Sequence, residues 1–203
     1  VTHGNVLRLM QVTREGFDFG PDDAWALFHS YAFDFSVWEI WGALLYGGRL
    51  VIVPGETSRN PEAFHELVSR EGVTVLNQTP SAFGQFAAVD EVRRLPLHLR
   101  LVIFGGEALR FGELRGWFER HGDARPALVN MYGITETTVH VTWHDVTRAE
   151  ALQPHGSLIG EALPHLQAHI LDERQQPVAD GEPGALHVAG AGLAGVYLER
   201  PSQ

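Results

Sequence analysis

The sequence contains no cysteine, and this absence excludes a disulfide framework, a thiol nucleophile and a zinc site built from thiolates. Basic residues are scarce, with 15 Lys and Arg against 25 Asp and Glu, and the formal net charge of −10 argues against nucleic-acid binding through a basic surface. No apolar run is long enough to span a membrane, and the first residues carry no signal-peptide pattern. We therefore expect a cytoplasmic protein that contacts neither nucleic acid nor membrane.

The composition that remains is that of an ordinary globular protein. With 203 residues, of which 44% are hydrophobic, the chain is long enough to bury a sizeable core. It does not begin with Met, and no terminating element precedes Gln203. We expect the sequence to be a piece of a longer protein.

Short apolar runs alternate with helical patterns through the first two thirds of the chain. The predicted strands are Trp25–Phe28, Arg49–Val53, Val73–Leu76, Leu99–Phe104 and Ala127–Val129, and the predicted helices are 2–15, 37–46, 61–72, 81–89 and 111–121. Thr2 is a candidate cap for the first helix, in which Val6, Leu7 and Met10 form one apolar stripe. The alternation predicts an α/β fold with a mostly parallel sheet and helices on both faces.

The pattern changes near Val139. Strands are predicted at 139–144, 166–171 and 184–190, and they are separated by turns rich in Asp, Gly and Pro. This spacing indicates a smaller antiparallel, barrel-like β section. We predict an α/β subdomain over residues 1–160, incomplete at its N-terminus, and an antiparallel β subdomain over residues 161–203, incomplete at its C-terminus.

An acidic residue lies among aromatic residues in the stretch 33–39. Ser36 is followed three residues later by Glu39, which is the pattern of a capping box for a helix over Val37–Tyr46. Asp34 then lies in the loop just before that helix, where it could serve either as an ordinary residue of the helix start or as a binding group.

The stretch from Asn130 to Thr138 combines groups that could hold a nucleotide. Gly133 permits a tight turn or a close backbone approach, and Tyr132 offers a flat face for a purine. Thr135 can donate to a phosphate oxygen, and Glu136 is a ligand that Mg²⁺ accepts. These groups follow a predicted parallel strand, and open α/β sheets bind ligands at the carboxyl ends of their strands. On chemistry alone the stretch is also compatible with a strand, a glycine turn and a Thr-capped helix.

A resemblance to a known family favours the interpretation of this stretch as a nucleotide-binding site. The stretch Tyr132–Thr138 resembles the phosphate and adenine motif of the adenylate-forming enzymes, and it is most similar to that of the amino-acid-adenylation domains of nonribosomal peptide synthetases. Three further stretches are similar to family motifs in the same order, namely 33–39, 105–108 and 184–201. In the last of these, Gly195-Val196 stands where the family commonly has Arg-Gly.

The resemblance implies ATP and Mg²⁺ as cofactors. Glu136 would hold Mg²⁺ and Thr135 would touch the α-phosphate, so these two residues are the implied catalytic ones. Adenine would lie between Tyr132 and the glycine turn of residues 105–108, and Asn130 would bind its amino group. The implied nucleotide-binding residues are Gly106, Glu107, Ala108, Asn130, Tyr132 and Thr135.

The resemblance also implies an amino-acid pocket in which Asp34 pairs with the α-ammonium group, a strong charge-assisted contact. Its implied lining is Asp34, Phe35, Trp38, Asn77, Ile103, Gly105, Met131, Val139 and His140. Read in order, this set resembles the family signature associated with threonine, and Asn77 and His140 could bind its side-chain hydroxyl. The alternative is that both are core polar residues bonded to the backbone.

The implied function is ATP-dependent activation of an amino acid, L-threonine, as aminoacyl-AMP for loading onto a phosphopantetheine thiol. The implied partners are the peptidyl carrier and condensation domains of the same synthetase, working in antibiotic or other secondary metabolism. Two alternatives remain: an acyl- or aryl-CoA ligase of the same superfamily, and a non-catalytic scaffold fragment. In the family, a phosphate loop lies upstream of this stretch, and a ribose-binding Asp and a catalytic Lys lie downstream. We therefore expect the chain alone to be inactive.

Overall fold

A seven-stranded sheet with helices on both faces forms the centre of the computed structural model, which describes residues 1–153 and 156–197. The helices are α1 (His3–Phe17), α2 (Phe35–Leu44), α3 (Pro61–Arg70), α4 (Pro80–Arg93), α5 (Arg115–His121) and α6 (Arg148–Ala151), with 3₁₀ turns at Phe111–Leu114 and Thr135–Thr137. The strands are β1 (Ala24–Leu27), β2 (Arg49–Ile52), β3 (Val75–Gln78), β4 (Leu101–Phe104), β5 (Ala127–Tyr132), β6 (Thr142–Val146), β7 (Glu161–Ala162), β8 (Leu166–Leu171) and β9 (Ala185–Gly190). In the described part of the chain, no helix is both long and apolar enough to cross a membrane.

The predicted fold class is confirmed. The strand order is β2-β1-β3-β4-β5-β6-β7, in which the first five strands are parallel and the last two are antiparallel to their neighbours. Strands β8 and β9 form a separate antiparallel pair. The strand predicted at 139–144 begins only at Thr142, and both β6 and β7 extend the large sheet. The division into subdomains at residue 160 stays a prediction, and residues 198–201 of the fourth motif lie outside the described residues.

Successive side chains of a strand point to opposite faces, so the sheet has a hydrophobic cluster on each side. On one face Trp25, Val75, Leu101 and Val129 pack with residues of α1 and α2. On the other face Ala26, Leu76, Val102 and Leu128 pack with residues of α3, α4 and α5. Strand β3 runs to Gln78, two residues farther than predicted. Asn77 therefore lies on a strand, on the face of α1 and α2, together with Ile103 and Met131.

The first helix is capped as predicted but buries a different stripe. The Thr2 side chain accepts a hydrogen bond from the backbone N–H of Asn5, and the Asn5 side chain accepts one from the backbone N–H of Thr2, which completes a capping box. Leu7, predicted to be part of the stripe, is 47% exposed. Met10 is buried as predicted, but its buried neighbours on the helix are Asn5, Leu9, Thr13 and Phe17. The stripe is shifted because this is the side of α1 that packs with α2 against the sheet.

The capping box predicted at Ser36 and Glu39 is wrong. The backbone is already helical at Asp34, so α2 begins at Phe35 and Ser36 lies inside the first turn. Its hydroxyl donates to the carbonyl of Phe33 at 2.8 Å. Glu39 lies on the buried face of the helix, where its carboxylate accepts hydrogen bonds from His29 instead of capping the helix start.

Candidate active site

A cavity of about 270 Å³ opens at the carboxyl ends of β4 and β5, next to the start of α2. It brings together residues of three stretches that the sequence singled out, 33–39, 105–108 and 130–138. The cavity is lined by Phe33, Asp34, Phe35, Gly105, Gly106, Met131, Gly133, Ile134, Thr135, Glu136, Val139 and His140. This is the edge of the sheet at which open α/β folds bind their ligands.

We call Asp34, Thr135 and Glu136 the mouth of the cavity. The hydroxyl of Thr135 donates to Oδ2 of Asp34 at 2.8 Å, a contact between residues 101 positions apart in sequence. Asp34 is half-buried, whereas Thr135 and Glu136 are exposed. Asp34, just before α2, and Thr135, in the stretch Asn130–Thr138, therefore face the same cavity.

Glu136 accepts hydrogen bonds from residues outside the stretch Asn130–Thr138. Its Oε1 accepts a hydrogen bond from the Tyr197 hydroxyl at 2.8 Å, and its backbone carbonyl accepts one from the N–H of Ala194 at 2.7 Å. The bond from Tyr197 lowers the pKa of Glu136 and raises the pKa of Tyr197. The carboxylate is therefore ionised at neutral pH.

The described residues include no group of three or more His, Asp or Glu side chains that could hold a metal ion. A single exposed carboxylate nevertheless fits Mg²⁺, which keeps several waters and is bound through one or two carboxylates together with substrate phosphates. Glu136 is such a carboxylate at the mouth of the cavity.

We call Trp38, Asn77 and His140 the deep end, a buried cluster that reaches the cavity at His140. The indole N–H of Trp38 donates to Oδ1 of Asn77 at 3.0 Å, and both residues are fully buried. The His140 ring lies edge-on to the ring of Trp38, with centroids 4.9 Å apart. His140 lines the cavity, whereas Trp38, Asn77 and Ile103 are not among its lining residues.

Two polar atoms of the deep end lack a hydrogen-bond partner among the described residues, Nδ2 of Asn77 and Nε2 of His140. A buried polar group without a partner costs free energy, so such atoms require an explanation. The alternative in which both side chains are satisfied by the backbone is not supported for these atoms. Burial lowers the pKa of His140 to about 3, so its ring is neutral.

Two glycines leave room for the cavity walls. A Cβ atom at Gly105 would lie 3.1 Å from Cζ of Phe35 and 3.5 Å from the carbonyl oxygen of Met131. A Cβ atom at Gly133 would overlap the carbonyl of Val139. The predicted close backbone approach at Gly133 is thus present, and it brings the end of β5 against the segment that carries His140.

That segment has an unusual backbone. Thr138 and Val139 are both in the left-handed region, with φ of 62° and 67°. This conformation is rare for a β-branched residue and is typical of strained functional segments. The hydroxyl of Thr138 donates to the carbonyl of Gly192 at 2.7 Å and helps to hold the segment in place.

The predicted nucleotide-binding residues lie at the same edge of the sheet. Tyr132 is 39% exposed, and the buried Asn130 donates from Nδ2 to the carbonyl of Leu158 at 2.7 Å. Because side chains alternate along β5, Asn130 and Tyr132 point away from the face that carries Met131. The predicted nucleotide and amino-acid groups thus occupy opposite faces of β5 and meet where the strand ends.

The glycine turn after β4 is exposed from Gly106 to Ala108. Gly106 has φ of 80°, which favours glycine. The carboxylate of Glu107 accepts hydrogen bonds from the backbone N–H and the hydroxyl of Ser81, in the first turn of α4. The Glu107 side chain therefore fastens the turn to α4.

Sequence reasoning missed several contributors. Phe33, Gly133 and Ile134 line the cavity, although none was a predicted site residue. Tyr197 contacts Glu136 from 61 residues away, and its only signal in the sequence was its place in the fourth motif.

Comparison with protein families gives a match over nearly the whole chain. The model of the family described as "AMP-binding enzyme" matches residues 1–198. In a crystal structure of the nonribosomal peptide synthetase FmoA3 (S1046A), the matching region has a TM-score of 0.88 and 27% identity, and it covers 100% of this chain and 22% of that one.

Curated relatives are much longer than this chain. A dimodular nonribosomal peptide synthase of Bacillus subtilis (strain 168) is 57% identical over 99% of the chain, which spans 9% of that protein. Syringomycin synthase SyrB1 of Pseudomonas syringae pv. syringae is 48% identical over 98% of the chain, which spans 33% of that protein.

Proposed function

The chain belongs to the AMP-binding enzyme family, and we propose that it forms the amino-acid-binding part and much of the nucleotide-binding part of an adenylation domain. Its parent would activate an amino acid with ATP as aminoacyl-AMP, release pyrophosphate and load the aminoacyl group onto a carrier-protein thiol. The names of the similar synthetases support this activity.

The contact between Asp34 and Thr135 is the observation that carries the proposal. An aminoacyl-AMP has an ammonium group and an α-phosphate separated by only a few bonds, so one site must hold both. Asp34 would bind the ammonium, and the Thr135 hydroxyl would donate to an α-phosphate oxygen. A CoA ligase acting on a plain acid would leave the half-buried carboxylate of Asp34 without its cation, which is unfavourable.

The reaction joins two anions, a carboxylate and a triphosphate, so catalysis rests on positioning and on neutralising charge. Mg²⁺, when bound, would supply positive charge to the phosphates, and Glu136 would hold it. Tyr132 would stack on adenine against the turn of Gly106, Glu107 and Ala108. Asn130 would read the adenine amino group with Oδ1, since its Nδ2 is engaged by Leu158.

We propose L-threonine as the amino acid because the deep end offers two polar atoms that have no hydrogen-bond partner in the part of the chain that the structure describes. Nδ2 of Asn77 can only donate, while Nε2 of the neutral His140 can accept, and a hydroxyl both accepts and donates. Phe35, Gly105, Met131 and Val139 would form the walls around a small side chain, with Ile103 and Trp38 packed behind them. Valine has the same shape and would leave both polar atoms unpaired, which allows rejection by about 10⁴-fold.

The complete protein that contains this chain should be tested by ATP–pyrophosphate exchange with threonine, serine and valine. We expect threonine to be the best substrate. Serine should lose about 1–3 kcal/mol for its missing methyl group, and valine should give little signal. Equal rates with threonine and valine would contradict the pocket assignment. CoA-ester formation without amino-acid exchange would favour a ligase, and no turnover at all would favour a scaffold.

Several features of the whole protein are part of the same proposal. We expect carrier and condensation domains as partners, phosphopantetheine on the carrier, a cytoplasmic location and a subdomain boundary near residue 160. We expect the 203-residue chain alone to be inactive, because the phosphate loop, ribose-binding Asp and catalytic Lys of the family are not among its matched motifs.

A further inference from the structure

A buried histidine–glutamate pair lies next to the aromatic wall of the cavity. The side chain of Glu39 is fully buried and that of His29 is 7% exposed. Oε1 of Glu39 lies 2.8 Å from Nδ1 of His29, and Oε2 accepts the backbone N–H of His29 at 3.2 Å. Burial raises the pKa of Glu39, and the hydrogen bonds from His29 oppose that shift. Both oxygens of one carboxylate are therefore used to hold a single residue.

The pair contacts the cavity through the His29 ring. This ring stacks on the ring of Phe35, with centroids 4.7 Å apart and planes 21° apart. It also meets the ring of Phe33 edge-on at 5.4 Å. Phe33 and Phe35 both line the cavity, and they are the two neighbours of Asp34 in the chain. The orientation of the His29 ring is thus linked to the residues on either side of the acid.

The pair also joins the two ends of the segment that carries Asp34. His29 follows the end of β1 by two residues, and Glu39 lies in the second turn of α2. Between them the chain is exposed at its tip, where Tyr31 is 91% exposed. The segment is therefore held at its base, where Glu39 binds His29.

We propose that His29 and Glu39 are positioning residues, which fix Asp34 and Phe35 in the geometry that binds the amino acid. This inference rests on the proposed function, and neither residue would touch the substrate. A glutamine in place of Glu39 would keep the shape but offer one acceptor to two N–H donors. Either Nδ1–H of His29 then faces the amide N–H, which displaces the ring and the Phe35 ring on it, or the ring proton moves to Nε2, which is buried without a partner among the described residues.

A second buried pair provides a matched control. Nε2 of His65 and Oδ1 of Asp90 are 3.1 Å apart, and the two side chains are 0% and 3% exposed. Oδ2 of Asp90 also lies 2.7 Å from Nε2 of His121, so this carboxylate, like that of Glu39, uses both oxygens. His65 and Asp90 lie on α3 and α4, and neither lines the cavity. An acid-to-amide change can therefore be made in each pair, one next to the cavity and one remote from it.

The experiment measures KM for the amino acid and for ATP separately, by pyrophosphate exchange in the complete protein, for Glu39→Gln and Asp90→Asn. Because displacing a binding group by about 1 Å can cost up to about 100-fold, we expect Glu39→Gln to raise the amino-acid KM by about 10- to 100-fold with little change in the ATP KM. Asp90→Asn should lower the melting temperature and leave both KM values close to wild type.

Replacements of His29 give a second readout. His29→Asn retains a side-chain N–H that can donate to Glu39, whereas His29→Ala does not. We expect the amino-acid KM of His29→Asn to lie closer to wild type than that of His29→Ala. If Glu39→Gln does not fold, the comparison of His29→Asn with His29→Ala tests the positioning role by the same measurement.

Two results would overturn the inference: an unchanged amino-acid KM in Glu39→Gln, or amino-acid and ATP KM values that rise together as stability falls. The amino-acid preference of the wild-type protein tests the proposed function, while the ratio of the variant's amino-acid KM to that of the wild type tests this inference. If the wild-type protein prefers another amino acid, that amino acid is used for the ratio.

Discussion

The mouth and the deep end of the cavity differ in burial and in how their polar atoms are satisfied. At the mouth, Asp34 accepts a hydrogen bond from the Thr135 hydroxyl, and Glu136 accepts one from the Tyr197 hydroxyl. At the deep end, Asn77 and His140 are buried, and each has a polar atom without a partner among the described residues. The mouth therefore has polar groups that hydrogen-bond to each other or to water, whereas two polar atoms of the deep end have no partner among the described residues.

Under the proposed function, the two regions would have different tasks. An ammonium, an acyl carbonyl and an α-phosphate occur in every aminoacyl-AMP, so the mouth would act on any amino acid. Only the side chain differs between substrates, so the deep end would decide which one is accepted. Substitutions at the mouth should lower activity for all amino acids, while substitutions at the deep end should change selectivity.

Replacing Asp34 by Ala should have the largest effect. It removes one partner of a charge-assisted contact in the bound complex, so we expect kcat/KM to fall by about 10³-fold for every amino acid tested. Pyrophosphate exchange measures the loss, and Asp22→Ala, a change at an exposed acid that does not line the cavity, is the control. Retained activity in Asp34→Ala would show that the acid does not bind the ammonium.

Replacing His140 by Phe should change selectivity instead. The ring shape against Phe35 and Trp38 is kept, but Nε2 is lost. We expect the ratio of kcat/KM for threonine over valine to fall by about 100-fold, since an unpaired buried polar group costs about 1–3 kcal/mol. His144→Phe on β6 is the control, because His144 does not line the cavity. An unchanged ratio in His140→Phe would remove the deep end from substrate selection.

The deep end should also make stability depend on pH. The folded-state pKa of His140 is about 3, below its ordinary value of 6.5, so the unfolded chain takes up a proton at pH 5 that the folded chain does not. The contribution of His140 to stability is complete above pH 6.5 and is lost as pH falls toward 3. We expect a loss of about 2 kcal/mol at pH 5 relative to pH 7.

Urea unfolding of the wild-type protein and of His140→Phe at the two pH values isolates this contribution. The difference in unfolding free energy between the two proteins should change with pH. Asp34→Ala, a change at the mouth, should retain the wild-type dependence. The same pH dependence in His140→Phe as in the wild type would mean that His140 titrates normally.

Replacing Tyr197 by Phe should have the smallest effect. It removes a hydrogen bond to an exposed carboxylate, and exposed pairs contribute little. We expect the Mg²⁺ concentration at half-maximal exchange to change by about twofold, with the amino-acid preference unaltered. An altered ratio of kcat/KM for threonine over valine in this variant would contradict the expectation that changes at the mouth leave selectivity unaltered.

The sequence predicted the parts of the site that follow from local rules. The alternation of strands and helices predicted a parallel sheet, and glycines after strands predicted turns at one edge. Together these place residues 34, 105 and 135 near one another. The sequence did not predict how they touch, because the bond between Asp34 and Thr135 joins positions 101 residues apart.

Local rules failed where tertiary contacts outweighed them. Ser36 and Glu39 have the spacing of a capping box, but His29 binds the glutamate in the core. Val139 favours a strand by its branched side chain, yet it has φ of 67° because the backbone turns sharply beside Gly133. The strand predicted from Val139 therefore starts three residues later.

Under the proposed function, the amino acid would lie in the cavity with its amine at the mouth and its hydroxyl directed toward the deep end. A crystal structure of the complete protein with threonine and an unreactive ATP analogue tests it most directly. We predict the threonine ammonium about 3 Å from the carboxylate of Asp34, and its hydroxyl within hydrogen-bond distance of His140 or Asn77. A threonine bound with its hydroxyl toward solvent, or with its ammonium away from Asp34, would contradict the account.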